Sequence, residues 1–225
     1  VTVAFDAFTS NVVGSTNPSF THTPVGTPRG VVVFVLWISA NDEITGITYG
    51  GTAMSEVSGS PNLKAAAETM SMAAYFLGTS IPAGAQTVAT AGSGVSGKLA
   101  YCYTVTAAAD TAVSDSDGSI NSDAVGNPSA ILSLGGLAAF VCEALLSGQD
   151  VITGITPFAG WTSRHEIDGG AYSAGSYSYD TVGTADVTMG WTQATDDATC
   201  IGVAVREVAG GGGFRSRIAG GLVGG

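Results

Sequence analysis

Residues 30–57 read GVVVFVLWISANDEITGITYGGTAMSEV. The opening run, Val31 to Ser39, carries no charge and is almost wholly apolar. Val31, Val32, Val33, Val35 and Ile38 are β-branched, and Phe34 and Trp37 are aromatic. Such a run is too short to cross a membrane as a helix; it fits a strand covered on both faces. The acidic turn Asn41-Asp42-Glu43 follows. Ile44 to Tyr49 alternate as a second strand, Gly50-Gly51 makes a tight turn, and Thr52 to Val57 return as a third.

Working outward, the pentapeptide ITGIT at 44–48 recurs at 152–156. Its surroundings recur in the same order. Gly30 to Trp37 precede the first copy, and Gly136 to Ala144 the second. Met72–Leu77, Gln86–Ala91 and Leu99–Thr106 follow the first; Ser176–Val182, Ala185–Trp191 and Thr199–Val208 follow the second. Each half reads as a long buried strand, an acidic turn, a hairpin, an aromatic strand, a short strand and a closing strand. The repeat spans about 30–106 and 136–208, far too long a period for a solenoid. Residues 107–129 are small, polar and acidic, and read as a connector. Residues 1–9 alternate as a first strand, whereas Pro18, Pro24 and Pro28 mark 10–29 as a loop or irregular edge. Duplicated antiparallel strands can form the two sheets of one sandwich or two similar small domains. With no Pro- or Gly-rich hinge between the halves, the expectation is an all-β chain: a jelly-roll-like antiparallel double-sheet sandwich over 1–208 with an internal pseudo-repeat, then an extended C-terminal arm over 209–225.

Composition narrows the function. The 225 residues are 45% hydrophobic and 11% charged, with 33 Gly and a net charge of -11. The apolar fraction argues against disorder, and seven basic residues do not make the basic face that direct nucleic-acid binding needs. Cys102, Cys142 and Cys200 lie in apolar runs without paired spacing, so they read as small core residues, which favours a reducing compartment. The sequence offers no signal-peptide pattern and no transmembrane span, and a start at Val1 fits removal of an initiator Met.

No catalytic motif emerges. His22 and His165 are the two histidines; a hydrolytic triad would need one beside an activated Ser or Cys, and no GxSxG elbow occurs. GSGVSG at 92–97 is a hairpin turn, because no helix and no Lys-Ser/Thr pair follows it. The absence of HExxH and CxxC argues against zinc, and no cofactor is implied. Asp115, Asp117 and Asp123 in DSDGSINSD are spaced oxygen ligands that suggest Ca²⁺, but the EF-hand spacing is missed, and a solvated acidic segment is the better reading. Tyr172, Tyr177 and Tyr179, with Trp37, Trp161 and Trp191, suggest either a sugar-stacking face or ordinary core packing. The arm, AGGGGFRSRIAGGLVGG, brings Phe214, Arg215, Arg217, Ile218, Leu222 and Val223. An apolar, basic and Gly-rich arm on an acidic body suits docking on a neighbouring subunit.

The motifs YGG-x-AM (ITGITYGGTAMSEV) and PAG-x-x-TV (IPAGAQTVATA), with the aromatic strand AAYFL between them, resemble a β-sandwich domain of virion and tail-associated proteins of tailed bacteriophages and related bacterial genes. The resemblance covers about residues 30–208. It implies a virion structural protein and carries no catalytic residues. The expected role is a capsid decoration, cement or head-surface protein, assembled in the host cytoplasm, which binds copies of itself or other virion proteins through the sandwich and the arm. The alternative is a carbohydrate-binding or adhesin module on a fibre or tail, with a surface glycan as partner. Neither a membrane nor an enzymatic reaction is implied.

Overall fold

The computed structural model describes residues 3–63, 69–94, 97–121, 128–148, 156–157, 159–168, 172–179, 185–192 and 197–208. Every regular element among them is a β-strand. The first half holds β1 (Ala4–Ser15), β2 (Ser19–His22), β3 (Gly30–Trp37), β4 (Ile44–Tyr49), β5 (Thr52–Ala53), β6 (Ser55–Glu56), β7 (Asn62–Leu63), β8 (Ser71–Leu77), β9 (Gln86–Gly92) and β10 (Lys98–Thr106). The second holds β11 (Thr111–Asn121), β12 (Ser129–Leu132), β13 (Phe140–Ser147), β14 (Thr156–Pro157), β15 (Thr162–Asp168), β16 (Ser173–Tyr179), β17 (Val187–Thr192) and β18 (Ala198–Glu207).

The two halves share one topology. The first builds a large sheet in the order β1-β10-β3-β8-β6, with β7 also on β8, and a small sheet β2-β9-β4-β5. The second builds β11-β18-β13-β16-β15 and β12-β17-β14. All pairings among the described residues are antiparallel, and the last residue of each ITGIT lies in the corresponding small sheet. Thr48, the last residue of the first ITGIT, pairs with Ala89 of β9; Thr156, the last of the second, pairs with Thr192 of β17. Residues 152–155 of the second copy lie outside the described residues.

These sheets stack in four layers around three cores. Val31, Val33, Val35 and Trp37 of β3 meet Ile47, Tyr49 and Val88 of the first small sheet. Val141 and Leu145 of β13 meet Leu132, Met189 and Trp191 of the second. The alternate residues of the same strands, Val32, Phe34 and Leu36 on β3 and Cys142, Ala144 and Leu146 on β13, share a third core between the two large sheets. Among the described residues this seam holds nineteen buried hydrophobic members, against fourteen and eleven in the two sandwiches. The seam is therefore the main core and not a loose contact between domains. It also explains the uncharged run at 31–37: a strand covered on both faces cannot alternate apolar with polar. Every residue of β3 and of β13 is buried.

Polar contacts tie the seam as well. The Tyr103 hydroxyl and Ser176 Oγ lie 2.7 Å apart, Ser116 Oγ donates to the Ser58 carbonyl at 2.7 Å, and the Arg164 guanidinium lies 3.6 Å from the Phe5 ring centroid.

The all-β antiparallel sandwich is as the sequence suggests, but the duplication is arranged differently. Each repeat makes its own pair of sheets, where the jelly-roll expectation gave each repeat one sheet of a single sandwich. The repeats also begin earlier, because β1 and β11 are equivalent edge strands. Residues 111–121, expected inside the acidic connector, are β11. An edge strand needs only its backbone bonds to β18 and one covered face, so its composition is polar. Residues 10–15 and 19–22, expected as a loop or an irregular edge, are the end of β1 and β2, each an edge strand of its sheet. Both long edges are interrupted by register shifts, between Phe5 and Ala7 and between Val113 and Asp115. Such bulges hinder pairing with other chains along those edges.

Candidate functional site

The two halves meet at one end of the molecule through Thr111, the first residue of β11. Its hydroxyl donates to the Arg29 carbonyl at 2.5 Å and its N–H to the Gly78 carbonyl at 3.4 Å, while Arg29 N–H reaches the Val105 carbonyl at 2.8 Å. Glycine is needed at 78, because a Cβ there would strike the Thr111 carbonyl oxygen. Beside this junction lies a shallow cleft of about 210 Å³, walled by Thr27–Arg29, Gly78–Ile81 and Asp110. Arg29 and Asp110 face each other across it at 3.6 Å, both substantially exposed, so the pair contributes little to stability and is open to exchange with other charges. Ser80 on the wall has φ 54°, a left-handed conformation that is uncommon outside glycine and accumulates at functional sites. Hydroxyls, carbonyls, one guanidinium and one carboxylate suit hydrogen bonding to a peptide segment carrying either charge. The last described residue is fixed here: Val208 N–H donates to the Asp110 carbonyl at 2.9 Å.

The arm residues Phe214, Arg215, Arg217, Ile218, Leu222 and Val223 lie outside the described residues, as does Asp123. Asp115 accepts from Ser133 N–H at 2.5 Å and Asp117 from Gly118 N–H at 2.8 Å. The first carboxylate ties β11 to the chain just after β12, and the second accepts from the next peptide of its own strand. Among the described residues, no three His, Cys, Asp or Glu converge as metal ligands.

Of the two readings of 177 and 179, a sugar-stacking face or core packing, the structure shows core packing at 177. Tyr177 is fully buried. Its ring stands edge-on to Trp191, 4.1 Å between centroids, and its hydroxyl donates to Glu166. Burial and that carboxylate push its phenol well up. Tyr179 is half-buried against Trp161, with centroids 5.7 Å apart, and Tyr172 packs on the seam core. Trp37 and Trp191 are fully enclosed. The second small sheet covers this face of β16, which the alternation at 177 and 179 alone does not disclose.

His22 is also interior. Thr104 Oγ1 donates to Asp6 at 2.8 Å, so it accepts from His22 Nε2–H at 3.1 Å, and Nδ1 accepts from the Thr9 hydroxyl at 2.9 Å. Both nitrogens are used by the neutral ring. Burial lowers its pKa to about 4, the charge of Asp6 opposing in part. The chain Thr9–His22–Thr104–Asp6 joins β1, β2 and β10. His165 packs on Tyr101 with centroids 5.6 Å apart, and burial lowers its pKa too.

Two features escape the sequence reading. One is the cleft, whose residues are scattered over three loops. The other is Glu143, buried inside FVCEALL. Pairing partners make Glu143 the equivalent of Val33, an offset of about 110 residues, whereas matching Gly30 to Gly136 sets the repeat four residues out of phase.

No protein-family model, curated protein or solved structure matches the chain. The phage resemblance therefore rests on its short motifs alone.

Proposed function

We propose that the chain is a structural subunit of a larger assembly, in particular a decoration or cement protein on a virion surface, held to neighbouring subunits by residues 209–225. The observation that carries this reading is where the described body ends. Val208 is hydrogen-bonded to Asp110 at the junction of the halves, beside a cleft of mixed charge. Residues 209–225, with Arg215 and Arg217 and no acid, follow in sequence directly after this anchored residue of a strongly acidic body. Charge complementarity of this kind speeds encounter and selects partners, and two stacked sandwiches make a stiff body for transmitting load.

Deleting residues 210–225 is the test. The truncated chain is expected to keep its fold by circular dichroism and to lose self-association or particle binding in light scattering. Truncated protein that assembles like the full chain would end this reading. Binding of the full chain to a glycan array, unchanged by the deletion, would favour an adhesin instead.

A further inference from the structure

Glu143 sits mid-way along β13, inside the second sandwich. Its side chain is fully buried, and neither carboxyl oxygen has a hydrogen-bond partner. Strand alternation puts it on the face of Val141 and Leu145, since Cys142 and Ala144 belong to the seam. Tyr177 and Gly202 flank it across the strands. The small sheet covers it: Met189 occupies the space in front of Gly202, where a Cβ would collide with its sulfur, and Trp191 stands over Tyr177. Trp191 Nε1 is likewise buried without an acceptor. The titratable or charged groups facing this interior are Tyr177 and Tyr179 of β16, Tyr177 being bonded to Glu166 of β15, and Cys200 and the half-buried Arg206 of β18. Leu132 of β12 and Met189 and Trp191 of β17 bring none, and Cys142 and Tyr103 lie across the sheet in the seam. Among the described residues Arg206 is the cation on this face, four residues along β18 from Gly202 and partly exposed, and burial, not a charge, sets the direction of the Glu143 shift.

The first sandwich has Val33 at this place, between Cys102 and Tyr75. An unpaired carboxylate in such an interior is far costlier than the neutral acid. We propose that Glu143 makes the second sandwich a proton-dependent latch. Sheet β12-β17-β14 stays packed on its large sheet while the acid is neutral, and loosens when the carboxylate forms. Burial holds this carboxyl well above the usual range. The folded chain thus binds the proton more tightly than the unfolded one. The stability this supplies is complete below the ordinary Glu range and is lost as pH rises toward the folded pKa, by at most about tenfold in the opening equilibrium per pH unit.

Three buried thiols report on the three cores: Cys102 in the first sandwich, Cys142 in the seam and Cys200 in the second sandwich. The intact chain is pulsed with N-ethylmaleimide from about pH 6.5 to 8.5, above the interval in which His22 titrates, and each cysteine peptide is quantified by mass spectrometry. The ratio of Cys200 to Cys102 labelling cancels the intrinsic pH dependence of thiol reactivity. It is expected to rise with pH in the wild type, by up to about tenfold per unit, and to stay flat in Glu143→Gln and Glu143→Met. A flat ratio in the wild type overturns the latch even if neither variant folds. An equal rise in the wild type and in whichever variant folds overturns it too.

Discussion

The two halves have the same strands in the same order, yet their interiors are built from different chemistry. Val33 in the first sandwich stands where Glu143 stands in the second, and Cys102 where Gly202 stands. The seam is divided just as unevenly. The first half supplies Phe34, Tyr101 and Tyr103, where the second supplies Ala144, Ile201 and Val203 at the equivalent registers. One topology can thus be kept while its two copies become complementary: large rings on one sheet need small partners on the facing one. The halves also hold opposite kinds of buried titratable group. His22 is a base kept neutral within a complete set of hydrogen bonds; Glu143 is an acid with none.

The largest effect is expected at the seam. Phe34→Ala removes a fully buried ring that stands edge-on to Tyr103, 6.2 Å between centroids. It should cost about 3–5 kcal/mol and lower the urea midpoint of both halves together. A loss confined to fluorescence of one half would show that the halves are independent. Moving the second half's acid into the first, Val33→Glu, should cost ~3 kcal/mol or more at neutral pH and less near pH 4.5, as thermal melts at the two pH values would show.

A smaller effect separates the halves by sign. The pKa of His22 is lowered in the folded chain, to about 4, so its contribution is complete above the unfolded value of about 6.5 and is lost as pH falls through about 4. The first half should therefore weaken on acidification, by roughly 2–3 kcal/mol at most, while the second weakens on alkalinisation. His22→Gln should flatten the acid limb of a stability-against-pH curve and leave the alkaline limb alone. Smallest of all is Tyr103→Phe. It deletes the hydroxyl 2.7 Å from Ser176, but Ser176 still donates to the Glu143 carbonyl at 2.9 Å, so chemical denaturation should register only about 1 kcal/mol.

How much of this was legible in the sequence depends on which face of a strand did the signalling. The uncharged run at 31–37 announced a strand covered on both sides, and the second ITGIT announced the duplication. The choice between one sandwich and two stacked ones was not legible, because an unbroken apolar run says only that both faces are covered and not by which sheet. β11 was hidden by its composition: an edge strand held by backbone bonds needs few apolar residues, and Asp115 and Asp117 read as a loop. Tyr177 misled for the opposite reason. Aromatics at alternate positions fit an exposed platform and a buried face equally well, and only the strands of the second small sheet decide. Glu143 had a signal, an acid within an apolar run, but its meaning depends on aligning it with Val33.

The central claim is that the seam between the large sheets is the principal core of one body. Cysteine labelling in native buffer at pH 7 tests it directly, since Cys102, Cys142 and Cys200 each report on one core. The account predicts that Cys142 is the slowest of the three to react with N-ethylmaleimide. Cys142 reacting before both of the others would mean that the halves part as separate domains, and would contradict it.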